Sequence, residues 1–290
     1  MYPAIIDAYL APTSVAEALG ALGENPGATI FAGGQSVMQA IKARLVEPTC
    51  IVDLNGIAEL KGVSVAAGGV TIGPMTRYAD LNQETKLHGA YQAICDAATT
   101  VADRQVRNRG TIGGSICWNY LAACMPPTVL AMDAQLELTK AGGGTRTVAA
   151  RDFFTGALDT ARDDGELLTK ISLAPPAAHA GSAYQKWSTQ ADGLPIIGVA
   201  VYLETDGGGS CISARLAFGG ILPVTRRSPA GEKGLVGMKA GDKDGIGAAL
   251  QAAADDIDPQ GDRWVEGGYR KVLIKDLGRQ VVTTAFERAR

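Results

Sequence analysis

Histidine is nearly absent from this sequence. Of its 290 residues only His88 and His179 are histidines, and neither lies in an H-E-x-x-H motif or near a nucleophile elbow. The phosphate-binding motif G-x-x-x-x-G-K-[ST] and the dinucleotide-binding motif G-x-G-x-x-G are missing as well. These absences argue against histidine-dependent hydrolysis, a P-loop NTPase and an ordinary Rossmann domain. The chemistry is therefore expected to come largely from a bound cofactor.

The cysteines of this sequence form no recognisable motif. The sequence has five cysteines, an odd number, and no two of them form a C-x-x-C pair. This arrangement argues against a disulfide framework and against a zinc or iron–sulfur site in this chain. We interpret each as a small buried hydrophobic residue: Cys50, Cys95, Cys117, Cys124 and Cys211.

An excess of one charge and long hydrophobic runs are missing too. The 27 basic and 30 acidic residues give a net charge of −3, and without a long basic run nothing indicates nucleic-acid binding. No stretch approaches the roughly 20 apolar residues of a membrane span, and the N-terminus does not resemble a signal peptide. We therefore predict a cytoplasmic protein. Its hydrophobic content of 46% is enough for a core, and its length favours two domains or subdomains.

Glycine, in contrast, is abundant, and two pairs stand out among the 37 glycines. They lie in A-G-G-Q-S at 32–36 and in T-I-G-G-S at 111–115. A glycine pair lets backbone N–H groups approach an anion, because no Cβ intervenes and positive φ is allowed, and the following serine adds a hydroxyl donor. Two such turns suit a diphosphate better than one turn does.

The flanks of the first pair strengthen this interpretation. Residues 29–32 are typical of a short buried strand, and Val37, Met38, Ile41 and Leu45 recur at helical spacing after the turn. The order strand, glycine turn, helix directs unpaired N–H groups into the turn. An ordinary tight connection between strand and helix is the alternative.

The rest of the chain mixes helices and strands without strict βαβ order. Segment 103–109, which carries three arginines, interrupts the helical pattern. Pro175-Pro176 is the best linker candidate. The periodicity predicts helices over 14–22, 90–101, 248–254 and 269–285, a helix capped by Thr76, a hairpin through 132–148, and adjacent strands over 196–203 and 211–218.

The order of these motifs resembles a known family. The first glycine turn, then Q-V-R-N-R-G-T-I-G-G-S at 105–115 and Y-R-x-x-L at 269–273, resembles the FAD-binding medium subunit of molybdenum hydroxylases. This family includes xanthine dehydrogenase, aerobic carbon monoxide dehydrogenase and nicotine dehydrogenase. The resemblance extends over almost the whole chain, and the long second motif is far more specific than a glycine pair alone.

The resemblance implies an α+β fold with two parts. A two-subdomain FAD-binding domain of the vanillyl-alcohol-oxidase (PCMH) type is expected over 1–175, with subdomains at about 1–55 and 56–175. A small α/β C-terminal domain of the carbon monoxide dehydrogenase flavoprotein type is expected over 180–290. The chain would be an oxidoreductase subunit that holds FAD noncovalently.

The resemblance also implies which residues contact FAD. Val101 would lie beside the flavin and Lys186 near the isoalloxazine ring, while Ile171 would supply a backbone contact. Ordinary core positions for Val101 and Ile171, and a solvated strand-edge lysine at 186, are the alternatives. No catalytic residue and no metal ligand are expected. The implied cofactor-binding residues are Ile30, Phe31, Ala32, Gly33, Gly34, Gln35, Ser36, Val37, Val101, Thr111, Ile112, Gly113, Gly114, Ser115, Cys124, Ile171 and Lys186, with hydroxyl donors at Ser36, Thr111 and Ser115.

Two positions depart from the family pattern. Cys124 stands where family members often carry an acidic residue that binds the adenosine ribose, and a thiol is a poor acceptor for two hydroxyls. Asn119, a backbone carbonyl or water would have to replace that carboxylate. The loop Q-A-D-G-L-P at 190–195 lacks the usual aromatic residue, so the access of an electron acceptor to the flavin is expected to differ.

The family implies a role in a larger complex. Substrate, an N-heteroaromatic compound, a purine, an aldehyde or CO, would be oxidised at a molybdopterin cofactor on a large subunit. Two [2Fe-2S] clusters on a small subunit would carry the electrons to FAD in this chain, which passes them to an external acceptor. A dimer of heterotrimers is the expected assembly. A self-sufficient FAD oxidoreductase of the same fold and an FAD-free assembly subunit are the alternatives.

Segment 103–109 has two interpretations. It either makes the approach to the second glycine turn rigid and contributes to docking of the iron–sulfur subunit, or it is a solvated loop of alternating charge. The first interpretation predicts that Arg107→Ala weakens flavin retention or assembly of the complex.

Overall fold

The computed structural model of the chain describes residues 5–220 and 224–289. A small parallel sheet begins the fold, in the spatial order β1-β3-β2. Helix α1 begins in a capping box, because the Ser14 hydroxyl accepts from the N–H of Glu17 while the Glu17 carboxylate accepts from the N–H of Thr13. The elements are β1 (Ala8–Leu10), α1 (Val15–Glu24), β2 (Thr29–Phe31), α2 (Val37–Lys42) and β3 (Cys50–Asp53).

A second, antiparallel sheet follows, in the order β4-β5-β10-β6-β7. Its central strand β10 pairs Ile171 with Ile72 on one side and with Leu136 on the other, and all three side chains are fully buried. The strands are β4 (Val63–Ala66), β5 (Gly69–Ile72), β6 (Gln135–Lys140), β7 (Thr145–Ala149) and β10 (Glu166–Leu173), with the short hairpin β8 (Phe154–Gly156) and β9 (Asp159–Thr160) beside them.

Helices pack against this second sheet. Two of the predictions for this region were wrong. The segment at 103–109 is a helix, because Asp103 caps it by accepting from the N–H of Val106 at 2.8 Å. Thr76 caps no helix; its hydroxyl instead bonds the backbone of Gly62 and Gly73. The helices are α3 (Tyr78–Gln83), α4 (Gln92–Thr100), α5 (Arg104–Arg109), α6 (Ile112–Trp118), α7 (Met125–Ala131) and α8 (Ala150–Phe153).

The C-terminal part is a four-stranded antiparallel sheet that is covered on both faces. Alternate residues of β12 point to opposite sides, so Ala200 and Tyr202 join the core under α4 and α7, whereas Val199 and Val201 join the core under α10 and α11. The elements are β11 (Ala180–Trp187), β12 (Ile197–Thr205), β13 (Cys211–Gly219), β14 (Arg226–Arg227), α9 (Pro229–Leu235), α10 (Lys243–Ile257) and α11 (Gly267–Arg288).

The described residues contain neither a candidate membrane span nor a candidate metal site. None of their helices is both long enough and apolar enough to cross a membrane. No cluster of His, Cys, Asp and Glu side chains among them could hold a metal ion.

Candidate cofactor site

The first glycine turn is tightly constrained by its neighbours. Gly34 has a φ of +74°, and a Cβ there would overlap the ring of Phe31. A Cβ on Gly33 would lie 2.8 Å from the Cα of Gly110 and would overlap the Arg109 carbonyl oxygen. Glycine is therefore required at both positions, once for the backbone conformation and once for the close approach of the segment that leads to the second motif.

The same turn presents unpaired donors. Among the hydrogen bonds of residues 5–220 and 224–289, none is donated by the backbone N–H groups of Gly34, Gln35, Ser36 and Val37. The Ser36 side chain is exposed and makes no capping bond to α2. A cluster of free N–H groups beside a hydroxyl is suited to bind an anion such as a phosphate.

The second glycine pair is built differently. It lies inside the first turn of α6, and its N–H groups are already used: Gly113 donates to the Pro74 carbonyl at 2.8 Å, and Gly114 donates to the Thr111 hydroxyl at 3.1 Å. A Cβ on Gly113 would overlap Pro74, and one on Gly114 would lie 3.4 Å from the Cβ of Ala32. The second pair thus brings α6 close to the first turn.

Two cavities meet at this junction. The first, which we name the Arg162 cavity, has a volume of about 330 Å³, and the second, which we name the Lys186 cavity, has a volume of about 280 Å³. Both are lined by Ile30, Ala32, Val37, Gly114 and Trp118. An elongated ligand can therefore lie across the first glycine turn with one end in each cavity.

The Arg162 cavity lies between the first sheet and the end of β10. Its other lining residues are mostly apolar, with a small polar group at one side: Leu22, Asn25, Gly27, Ala28, Thr29, Leu54, Pro74, Met75, Gly113, Cys117, Arg162, Asp164, Gly165, Leu167 and Leu168. Burial raises the pKa of the Cys117 thiol to about 11, so this thiol is protonated near neutral pH.

The Lys186 cavity carries most of the polar chemistry. Lys186, which is half-buried, donates from Nζ to the Gly193 carbonyl, and burial lowers its pKa below that of an ordinary lysine. Burial also raises the pKa of the Cys124 thiol, which lies on the cavity wall and is only 5% exposed. Beside it lies the buried Tyr184 hydroxyl, which interacts with the Cys124 thiol and has no oxygen or nitrogen partner among the described residues. This cavity can therefore offer a cation and a thiol to a ligand.

Known protein families match both parts of the chain. The family described as the FAD binding domain in molybdopterin dehydrogenase matches residues 5–176, and the carbon monoxide dehydrogenase flavoprotein C-terminal domain matches residues 182–285. The chain belongs to the family of FAD-binding medium subunits of molybdenum hydroxylases.

Its relatives are dehydrogenase subunits. The chain is 31% identical over 281 residues to the carbon monoxide dehydrogenase medium chain of Hydrogenophaga pseudoflava, with 97% of each chain covered. It is 33% identical to the glyceraldehyde dehydrogenase medium chain of Sulfolobus acidocaldarius, covering 96% of this chain and 97% of that one. The structure of the Hydrogenophaga pseudoflava carbon monoxide dehydrogenase superposes with a TM-score of 0.92 at 31% identity, with 99% of each chain covered.

The expected fold is confirmed by these matches. The chain has the two-part architecture of this family, a PCMH-type FAD-binding domain followed by a carbon monoxide dehydrogenase flavoprotein C-terminal domain, and it is an oxidoreductase subunit.

Most of the residues that sequence reasoning assigned to FAD lie together around the two cavities. The exceptions are Phe31, Ile112 and Ile171. Phe31 packs beneath Gly34, while Ile112 and Ile171 are fully buried in the core. The residues that line one or both cavities are Ile30, Ala32, Gly33, Gly34, Gln35, Ser36, Val37, Val101, Thr111, Gly113, Gly114, Ser115, Cys124 and Lys186.

Several lining residues were missed by sequence reasoning. Leu168 of β10 lines the Arg162 cavity, while the backbone contact predicted for Ile171 stays a prediction. Trp118 lines both cavities. It lies four residues after Gly114 on the same helix face, so the sequence could have predicted that it faces the same site. Arg162 follows no pattern in the sequence and reaches the site through the irregular segment after β9.

The helical segment at 103–109 supports the cavity wall. The Arg107 guanidinium donates to the carbonyls of Val101 and Ala102 at 2.8 and 2.6 Å, and both of these residues line the Lys186 cavity. Arg107 therefore fixes the backbone between α4 and α5. Its predicted effect on flavin retention or on complex assembly stays a prediction.

Two residues with different implied roles line the same cavity. The resemblance implied that Cys124 replaces a residue at the adenosine ribose and that Lys186 lies near the isoalloxazine ring. These two parts of FAD lie on opposite sides of the diphosphate, whereas both side chains line the same cavity. Both roles stay predictions.

Proposed function

We propose that this chain is the FAD-containing electron-transfer subunit of a heteromeric molybdenum hydroxylase. It would take electrons from two [2Fe-2S] clusters on a small subunit and pass them to an external acceptor. Its partners would be that small subunit and a large molybdopterin subunit, which oxidises an N-heteroaromatic compound, a purine, an aldehyde or CO. A dimer of heterotrimers is the proposed assembly.

One observation carries the FAD part of this proposal. The first glycine turn presents its free N–H groups along the Lys186 cavity, and Val37 at the end of the turn also lines the Arg162 cavity, an arrangement that fits a dinucleotide with its diphosphate at the turn. We place the isoalloxazine ring in the Lys186 cavity, beside the only lysine that lines either cavity in the described part of the chain, and the adenosine in the Arg162 cavity. Cys124 then lies on the flavin side, not at the adenosine ribose.

FAD, when bound, supplies the electron transfer itself. The residues of this chain would bind and orient it: the turn at 33–37 would hold the diphosphate, Ser36 and Ser115 would add hydroxyl donors, and Trp118, which lines both cavities, would contact the cofactor between its two ends. Neither histidine lines either cavity. This is the expected arrangement where substrate chemistry takes place on another subunit.

Purification of the whole complex tests this function. The chain would be tagged and expressed together with its candidate small and large subunits, and in parallel alone. Co-purification of both partners with FAD, iron, acid-labile sulfide and molybdenum is expected. Bleaching of the flavin absorbance on addition of substrate, only when all three subunits are present, would establish the direction of electron flow.

The other outcomes identify the alternatives. A chain that holds FAD and oxidises a substrate without any partner would be a self-sufficient oxidoreductase. A chain that assembles with both partners but contains no flavin would be an assembly subunit. Either result contradicts the proposed function.

A further inference from the structure

A polar bridge of residues that line neither cavity connects the two glycine motifs. Asn55, just after β3, donates from its side-chain amide to the carbonyl of Ala32 at 2.9 Å. Its amide oxygen accepts from the guanidinium of Arg77, and the same guanidinium donates to the carbonyl of Arg109. The bridge therefore joins a carbonyl next to the first glycine pair to a carbonyl in the lead-in to the second motif.

The bridge acts on the backbone that forms the site. The Arg109 carbonyl bonded by Arg77 is the same atom that a Cβ on Gly33 would overlap. Because a trans peptide holds its carbonyl and the next N–H on opposite sides, fixing the Ala32 carbonyl also fixes the direction of the Gly33 N–H. Asp53 holds Asn55 in place by accepting from its backbone N–H at 2.8 Å and from its side-chain amide at 2.5 Å.

The geometry needs an arginine at position 77. A guanidinium is a planar fork whose N–H groups donate to two acceptors in a fixed geometry, whereas the three donors of a lysine ammonium diverge from one nitrogen on a flexible stem. Backbone contacts already hold the segment around Arg77 against the second motif, since Ile112 donates to the Thr76 carbonyl at 3.2 Å and Tyr78 donates to the Gly110 carbonyl at 3.1 Å. Among the hydrogen bonds of the residues that the structure describes, the side-chain bridge extends this connection to the first turn, where Gly33 also packs against the peptide of Arg109 and Gly110.

We propose that Asn55 and Arg77 are positioning residues that set the spacing of the two glycine motifs for the FAD diphosphate. They touch the backbone of the motifs and line neither cavity. This inference rests on the proposed function, because it requires that the chain binds FAD.

The test is a double-mutant cycle on FAD affinity in the full chain. Arg77→Met and Asn55→Leu are each expected to raise the Kd for FAD at least about tenfold, as for the loss of a charge-assisted hydrogen bond. Since both changes break one bridge, the double variant should be little worse than either single variant. Arg77→Lys should keep the fold and bind FAD more weakly than wild type. Thermal unfolding without FAD would be recorded for every variant.

A matched control separates positioning from general stability. Arg227 makes a bidentate pair with Glu232 at 2.6 and 2.8 Å in the C-terminal part, so Arg227→Met removes an arginine network without touching the site and should leave the Kd for FAD unchanged. Unchanged Kd values in Arg77→Lys and Asn55→Leu, or effects that multiply in the double variant, would overturn the inference alone. If Arg77→Met does not fold, these two variants decide the outcome. A wild-type chain that binds no FAD would overturn the proposed function as well.

Discussion

The two glycine pairs of this chain look alike in sequence but have different structural roles. At 33–34 the glycines form a turn whose following N–H groups are free, whereas at 113–114 they lie inside a helix whose N–H groups are bonded to Pro74 and Thr111. The first pair presents donors to the cavities. The second pair has no side chain, so α6 can approach Pro74 and Ala32 closely.

The difference shows that one motif supports the other. The first turn does not stand alone, since Gly33 packs directly on the peptide of Arg109 and Gly110. A change in the second motif therefore moves the first turn indirectly, while a change in the first turn alters the donors themselves. Substitutions that separate these two effects test the comparison.

The largest effect is expected for Gly33→Ala. The added methyl group overlaps backbone atoms that cannot rotate away, so we expect a loss of about 3 kcal/mol in the free energy of unfolding, as for a severe overpacking, and loss of FAD from the purified chain. Denaturant unfolding and the flavin absorbance of the folded variant measure the two effects.

Gly20→Ala is the matched control for this change. Gly20 is exposed in α1, and a Cβ there would meet nothing within 4 Å, so this variant should be stabilised by up to about 1 kcal/mol and keep its FAD. A Gly33→Ala variant with normal FAD content would show that the contact between the two motifs is not needed for the site.

A smaller effect is expected for Gly114→Ala. Its Cβ would lie 2.8 Å from the Thr111 hydroxyl oxygen, and that side chain can rotate at the expense of its capping bond. The expected loss is about 1 kcal/mol in the free energy of unfolding, which is the usual contribution of an N-cap. FAD should bind more weakly than to wild type but remain bound. If Gly114→Ala lost FAD as completely as Gly33→Ala, the two pairs would contribute equally and the comparison would fail.

Much of the fold could be predicted from local patterns, and the failures have physical causes. The helix cap at Ser14 and the strand–turn–helix order at 29–42 could be predicted, because both depend only on residues that are close in the sequence. The helix at 104–109 was missed because its three arginines interrupt the apolar periodicity, although Asp103 is a typical N-cap. The unequal roles of the two glycine pairs could not be read from the sequence, because they depend on Pro74, a residue distant in the chain.

The site shows the same limit. Most of the residues predicted around the two motifs line the cavities, whereas the Ile171 side chain is buried in the core and its backbone contact with FAD stays a prediction; Leu168 of the same strand lines the Arg162 cavity. The pairing of β10 with β6 has a bulge between Leu168 and Lys170. This bulge changes which side chains of β10 face the cavity. Sequence alternation does not reveal such a bulge.

Ser36→Ala is expected to weaken the binding of FAD without changing the stability of the fold. The Ser36 side chain is exposed and makes no capping bond, so its loss should leave the unfolding free energy unchanged while raising the Kd for FAD several-fold, as for a neutral hydrogen bond. Ser14→Ala is the converse control, because Ser14 caps α1 far from the cavities and should cost about 1 kcal/mol of stability without changing the Kd. A drop in stability in Ser36→Ala would mean that the first turn also has a structural role.

The smallest effect at neutral pH is expected from the titration of Lys186, which should change the affinity for FAD only at alkaline pH. Backbone N–H groups do not titrate, so the first turn should bind FAD equally well from about pH 6 to 8. Lys186 does titrate, and burial lowers its pKa from 10.5. It therefore loses its charge at a lower pH than an ordinary lysine, and the affinity for FAD should fall as the pH rises through this lowered value. Titrations of FAD across the alkaline range should show this decline in the wild type and in Lys239→Met, an exposed lysine variant, but not in Lys186→Met. An identical alkaline decline in Lys186→Met would show that Lys186 does not interact with the bound cofactor.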